Sequence, residues 1–175
     1  MPSHPHQAHQ DRSHAHHDDP RKCLKLGVIT VSDTRTRETD LSGALVRELA
    51  EAAGHRVAHY EIVPDEAARI REAITANLPG LDGIIIDGGT GIAPRDTTVE
   101  VVRALLDKEL EGFGELFRML SWQEVGSKAM MSRAVAGVSG GKLLVAIPGL
   151  PAACRLALER LILPELHHIA AQLGL

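Results

Sequence analysis

The chain has 175 residues, enough for one domain that buries about 70% of its unfolded surface. Nineteen basic against twenty-three acidic residues give a net charge of −4, and Trp122, Tyr60, Phe113 and Phe117 are its only aromatic residues. These values speak against a nucleic-acid partner, since there is neither a basic stripe nor a stacking platform, and no apolar run reaches membrane-spanning length.

Residues 1–22 read as a disordered tail in which His4, His6, His9, His14, His16 and His17 lie among Pro, Gln, Ser and Asp. Their irregular spacing fixes no metal geometry. The expected folded domain is 23–175. Cys23 and Cys154 match no paired metal or redox motif and follow no signal peptide, which places the expected protein, with reduced thiols, in the cytoplasm.

Leu24 to Ser32 has the β-branched apolar run of a central strand and ends on Ser32-Asp33. After a polar loop with Arg35 and Arg37, Leu41, Leu45, Leu49 and Ala53 recur every four residues, predicting an amphipathic helix capped by Asp40 and stopped by Gly54. His55 to Val63 is a second, more exposed strand closing on Pro64-Asp65. Ile70, Ile74 and Leu78 then mark a helix for which Asp65 is the expected N-cap.

Gly83-Ile84-Ile85-Ile86 reads as a strand buried on both faces, followed by Asp87-Gly88-Gly89-Thr90-Gly91 and a helix over Thr98 to Leu106. Thr97 with Glu100 fits a capping box, and the glycine loop before a helix start fits a phosphate cradle. Neither the dinucleotide fingerprint nor the P-loop is present, because Pro94 stands where a third glycine belongs and no Gly-Lys-Ser/Thr occurs. Arg95 can add positive charge there and Asp96 can hold a metal. A further helix runs from Gly112 through Trp122, with Phe113, Leu116 and Phe117 as exposed apolar positions.

Ser132 to Val138 and Lys142 to Ile147 flank Ser139-Gly140-Gly141, a hairpin signal, and Pro148-Gly149-Leu150-Pro151 opens the last helix. His167 and His168 are adjacent on that helix, which does not suit joint metal ligation. The alternation predicts an α/β fold: a three-layer α/β/α sandwich with a mostly parallel sheet and a late antiparallel hairpin at its edge. Ligands of such sheets bind beyond the carboxyl ends of the strands. Those ends carry Asp33, Asp65, Asp87 and Asp96, a rim of four carboxylates that calls for a cation such as Mg²⁺ beside substrate phosphates.

In order along the chain, Asp40-x-Ser42-Gly43, Val63-Pro64-Asp65, Gly88-Gly89-Thr90-Gly91, Pro94-Arg95-Asp96-x-Thr98, Gly112-Phe113-Gly114-Glu115, Ser132-Arg133 and Pro148-Gly149-x-Pro151 resemble the MoaB/Mog family of molybdenum cofactor biosynthesis proteins. The resemblance covers about Leu24 to Leu175. It implies a protein, often trimeric or hexameric, that binds molybdopterin and in active members adenylylates it with Mg-ATP, releasing pyrophosphate. It places the family's functional aspartates on Asp65 and Asp96, its phosphate loop on Gly88, Gly89, Thr90 and Gly91, and pocket-rim positions on Ser132 and Pro148-Gly149. Ser32, Asp33, Arg95 and Arg133 complete the expected substrate-binding set, with Mg²⁺ held through ATP by Asp65 and Asp96. One residue departs from the family pattern: Asp87 stands where Thr or Ser commonly precedes the glycine run. A non-catalytic molybdopterin carrier or scaffold is the alternative implied by inactive family members.

Overall fold

The computed structural model describes residues 22–175, so the expectation for the histidine-rich tail lies outside the described residues apart from Lys22. Six strands form one sheet: β1 (Lys25–Val31), β2 (Arg56–Val63), β3 (Gly83–Asp87), β4 (Lys108–Glu109), β5 (Val135–Ser139) and β6 (Lys142–Ile147), in the order β2-β1-β3-β6-β5-β4. β2, β1, β3 and β6 run parallel, whereas β5 and β4 are antiparallel to their neighbours.

The helices are α1 (Leu41–Ala52), α2 (Ala67–Asn77), α3 (Thr98–Arg103), α4 (Glu111–Val125), α5 (Pro151–Ala157) and α6 (Leu163–Leu173). A π-helical segment, Leu158–Ile162, joins α5 to α6, and a 3₁₀ segment, Gly126–Met131, follows α4. Successive strand residues alternate between two cores. Val28, Ile85 and Val145 pack with Val46, Phe117 and Leu158 on one face; Ile29, Ile84, Ile86 and Leu144 pack with Ile70, Ile74 and Val99 on the other. Both faces are covered, giving the expected three layers and explaining why the central strands carry no polar alternation.

Several local expectations change. The hairpin forms through Gly140-Gly141, both at positive φ (56° and 73°), but β6 lies inside the sheet against β3 and only β5 extends outward. β4 then pairs with β5 as the true edge, so α3 ends at Arg103 rather than Leu106. Asp40 caps α1 as expected, its Oδ1 accepting from the Gly43 N–H at 2.9 Å. Asp65 does not cap α2, which begins after Glu66; Thr97 makes no capping bond, its own backbone lying in the helical region, and Glu100 turns to Arg133 instead of completing the box. Phe117 is 1% exposed and Phe113 packs against the same core. The exposed apolar strip runs instead through Leu116, Met119, Trp122 and Val125.

Candidate functional site

The parallel register brings the carboxyl ends of β1, β3 and β6 to one rim, and the loop after β3 is its centre. The Gly88 N–H extends the sheet ladder by donating to the Ile147 carbonyl at 3.0 Å. The chain then turns through Gly88 and Gly89 at φ +102° and +61°. A Cβ at Gly88 would meet the Val31 carbonyl, and one at Gly89 would meet the Thr98 hydroxyl, so both positions require glycine for conformation and for space. The loop is tied down further along, where the Thr98 N–H donates to the Gly89 carbonyl at 3.1 Å. With only six residues, α3 adds little field of its own. What this region can offer an anion is therefore the loop backbone rather than the helix end.

Asp65 and Asp96 converge on this loop. A Cβ on Gly89 would stand 3.0 Å from Asp65 Oδ1, and one on Gly91 would stand 2.6 Å from Asp96 Oδ2. Asp96 Oδ2 accepts from the Ala93 N–H at 2.7 Å, which closes the turn around Pro94. Asp65 Oδ1 is buried without a hydrogen-bond partner. Burial foremost, and then the charge of Asp96, hold the Asp65 carboxyl above the ordinary range against the pull of the Thr97 N–H.

The remaining expected residues divide into those that face the rim and those that brace it. Asp33 Oδ1 accepts from the Asp65 N–H at 3.0 Å while Asp33 Oδ2 pairs with Arg95, so Arg95 locks two loops together. Ser32 Oγ accepts from the Thr34 and Arg35 N–H groups and shapes the turn after β1. Arg133 donates to the Thr90 carbonyl at 3.4 Å and the Asp96 carbonyl at 2.8 Å and pairs with Glu100. It spans the whole loop. Asp87 leaves the expected rim of four carboxylates altogether: it is 0% exposed and turns toward Thr30.

Beside Gly89, Thr90, Gly91 and Asp96 opens a cavity of about 420 Å³, closed by Phe117, Ser121, Val125 and Met131 on one side and by Pro148, Gly149 and Leu150 on the other. Its size and largely apolar wall suit a small planar ligand with an anionic end at the loop. Ser132 lines it, and its hydroxyl is buried without a partner. Sequence reasoning missed the wall supplied by α4 and the 3₁₀ segment, including Lys128, because their spacing reads as an ordinary amphipathic helix. It named Ser42 only as part of a motif and gave it no role, whereas its hydroxyl donates to the Gly149 carbonyl at 3.0 Å and so fixes the second rim turn from α1. The Ser-Gly after the Asp40 cap was the available signal.

Among the described residues no group of three or more His, Cys, Asp or Glu forms a metal cage, and no helix is long and apolar enough to cross a membrane. Residues 27–168 match the family described as a probable molybdopterin binding domain. Molybdenum cofactor biosynthesis protein B of Halalkalibacterium halodurans is 49% identical over 161 residues, covering 90% of this chain and 95% of the relative. The protein of that name from Bacillus subtilis is 46% identical over the same shares. A crystal structure of a molybdenum cofactor biosynthesis protein B superposes with a TM-score of 0.86 at 50% identity, covering 88% of this chain and 98% of the other. The tungsten cofactor synthesizing protein MoaB from Pyrococcus furiosus superposes at 0.79 with 38% identity, over 86% and 97% of the two chains. Matched by the family over residues 27–168 and by these relatives over nearly their whole length, the chain belongs to the MoaB/Mog family of molybdenum cofactor biosynthesis proteins.

Proposed function

We propose that this protein binds molybdopterin in the cavity between the Gly88–Gly91 loop and α4 and adenylylates it with Mg-ATP, releasing pyrophosphate. The observation that carries the reading is the convergence of Asp65 and Asp96 on the glycine loop, with Asp65 Oδ1 buried and lacking a partner. Two carboxylates so placed repel each other, and a divalent cation held by them beside the substrate phosphates would relieve that repulsion.

In this reading the pterin lies against the apolar wall and its phosphate sits on the N–H groups of Gly89, Thr90 and Gly91. The terminal phosphate oxygen of molybdopterin attacks the α-phosphorus of ATP. The bond from that phosphorus to the bridging oxygen breaks, and the electron pair leaves with pyrophosphate. Asp65 and Asp96 are the residues that fit Mg²⁺, which when bound neutralises charge on the triphosphate. The chain's own contribution is position: Arg133 and the Asp33–Arg95 pair hold the loops at fixed spacing, and the Ser132 hydroxyl is free to donate to the ligand.

Supporting the homo-oligomer is the exposed strip of Leu116, Met119, Trp122, Val125, Met130 and Met131, which a trimer or a dimer of trimers would cover. Light scattering that reports a monomer at micromolar concentration would remove that part. The two free cysteines suit a reducing cytoplasm. The activity is tested by incubating the purified protein with molybdopterin, Mg²⁺ and ATP and measuring adenylyl-molybdopterin. Product supports the enzyme; tight pterin binding without product makes the protein a carrier.

A further inference from the structure

Beneath the glycine loop, on the side away from Asp65 and Asp96, three buried side chains and a half-buried tyrosine form a line of oxygens. Thr30 and Asp87 face each other in register on β1 and β3, Asp40 closes from the start of α1, and Tyr60 reaches in from β2. Thr30 Oγ1 lies 2.6 Å from Asp40 Oδ2 and 2.9 Å from Asp87 Oδ2. The Tyr60 hydroxyl donates to the same Asp40 Oδ2 at 2.6 Å, and the Gly43 N–H donates to Asp40 Oδ1.

A hydroxyl carries one hydrogen, so Thr30 cannot donate to both carboxylates. The second short contact requires a proton on one of them. Its place follows from the count of donors. Both oxygens of Asp40 already accept, from Tyr60 and from Gly43, whereas Asp87 Oδ1 is buried with no donor at all. A charged carboxylate is the costlier group to leave unpaired in the interior, so the proton belongs to Asp87. Asp87 Oδ2–H then donates to Thr30, and Thr30 gives its own hydrogen to Asp40.

Burial, followed by the charge of Asp40, pushes the Asp87 carboxyl up to about 7, in the same direction. The other charged or titratable groups facing this line are Arg37 and Arg47, which stack on the Tyr60 ring, Arg35, which lines the same pocket as Thr30, Asp40 and Asp87, and the Cys154 thiol, itself driven upward by burial. Asp87 is joined directly to Gly88, and its unpaired oxygen looks toward the second rim turn, where a Cβ on Gly149 would stand 3.7 Å away.

We propose that Asp87 is a positioning residue for the anion held by the Gly88–Gly91 loop: it carries a proton at neutral pH through Thr30 and Asp40, and releasing that proton weakens anion binding. The inference rests on the reading of this loop as a phosphate cradle. Neutral Asp87 leaves the loop N–H groups unopposed, and ionised Asp87 sets a full negative charge at the residue preceding them. Unit charges within about 10 Å at an effective dielectric of about 20 change affinity roughly tenfold or more.

The test uses the full chain with ¹³C-labelled aspartate, assigning the Asp87 carboxyl by its disappearance in Asp87→Asn, and inorganic pyrophosphate with Mg²⁺ as the probe. Asp87→Asn keeps a neutral side chain that can donate to Thr30, so it isolates the charge. The carboxyl resonance is expected to titrate near neutrality. By calorimetry, wild type and Asp87→Asn should bind pyrophosphate about equally near pH 6, and wild type should bind roughly tenfold more weakly than the variant near pH 8.5. The variant serves as control for the probe's own ionisation. A resonance that is already ionised near pH 5 overturns the proposal, and if the variant does not fold, assigning the Asp87 carboxyl through its own backbone resonances in doubly labelled wild type lets the same titration decide it. Equal affinities of the two proteins at both pH values overturn the role of the proton while leaving the cradle intact. Absence of pyrophosphate binding in both proteins at either pH overturns the proposal and the cradle together.

Discussion

The glycine loop has an acidic pair on each side of it, and the two pairs are built for opposite ends. Asp65 and Asp96 stand at the rim, where Asp65 Oδ1 has no protein donor and the two carboxylates lie near enough for the charge of one to raise the other. Asp40 and Asp87 lie below it, and there the repulsion is resolved internally by Thr30, Tyr60 and one retained proton. The same residue type beside the same loop thus leaves one pair with an unpartnered oxygen, where the proposed function seats a cation, and the other complete in itself. What separates them is burial and the supply of donors, neither of which is a property of aspartate alone.

The strongest test of that contrast is charge removal at the rim. Asp65→Asn and Asp96→Asn preserve size, and neither side chain caps a helix in this fold, so melting temperature is expected to change little. Molybdopterin should still bind, because the loop backbone remains. Adenylylation should fall by two to three orders of magnitude or more, equivalent to about 3–4 kcal/mol of lost charge stabilisation. Near-wild-type turnover in both variants would make the rim pair as self-sufficient as the buried one.

The second test turns on pH. The folded-state value for Asp87 is raised from 3.8 to about 7, so the native state binds the proton more tightly than the unfolded chain does. Its contribution to stability is therefore fully present below about pH 4 and is lost as pH rises through about 7. The stability of wild type relative to Asp87→Asn should decline across that window by up to a few kcal/mol and then level off. Urea midpoints at several pH values measure it, and a flat difference would show that the lower pair carries no extra proton.

The contrast between the pairs was invisible in the sequence, although much around it was not. The strand end at Val63, the αL glycines of the hairpin and the cap at Asp40 are local signals, and each is obeyed; the ends of β1 and β3 each differ by one residue from the expected Ser32 and Ile86. The four rim aspartates looked equivalent because all of them end strands or follow them. Asp87 is the last residue of β3, opposite Thr30, so the register of β1 against β3 sends it inward. Asp65 looked like a cap, yet α2 starts one residue later and frees its carboxyl for the loop. Pairing register and the path of α4 across the sheet arise from tertiary packing, and they decide which carboxylates meet and what walls the cavity.

A smaller effect is expected from Tyr60→Phe, which deletes one donor to Asp40 while keeping the ring between Arg37 and Arg47, at 5.0 and 4.9 Å from their guanidinium carbons. A hydrogen bond to a charged acceptor contributes about 1.5–3 kcal/mol, and this hydroxyl is partly buried, so a loss of about 1–2 kcal/mol is expected in chemical denaturation. Turnover should be unchanged near neutral pH, since Tyr60 touches neither the loop nor the cavity. A neutral result in denaturation would mean that Thr30 and Gly43 suffice to satisfy Asp40.

The smallest effect tests whether burial selects the neutral form elsewhere in the fold, with a base in place of an acid. His55 is buried at the start of the β2 edge, its Nδ1 accepting from the Leu24 N–H at 3.4 Å and its ring 5.0 Å from that of His167. Burial first, and the neighbouring His167 second, hold His55 below its ordinary value of 6.5. Here the unfolded chain binds the proton more readily, so the sign reverses: stability is present above about pH 6.5 and is lost as pH falls below it. His55→Asn retains an acceptor for Leu24 and cannot titrate. Wild type should therefore lose stability relative to this variant on acidification through that range, a slope opposite to that of Asp87 and shallower, because His55 is less deeply enclosed. Melting temperatures of both proteins measured from about pH 7.5 down to about pH 5 would read the difference. Equal acid sensitivity in the two would place the titrating group elsewhere, and His55 would then be held by packing alone.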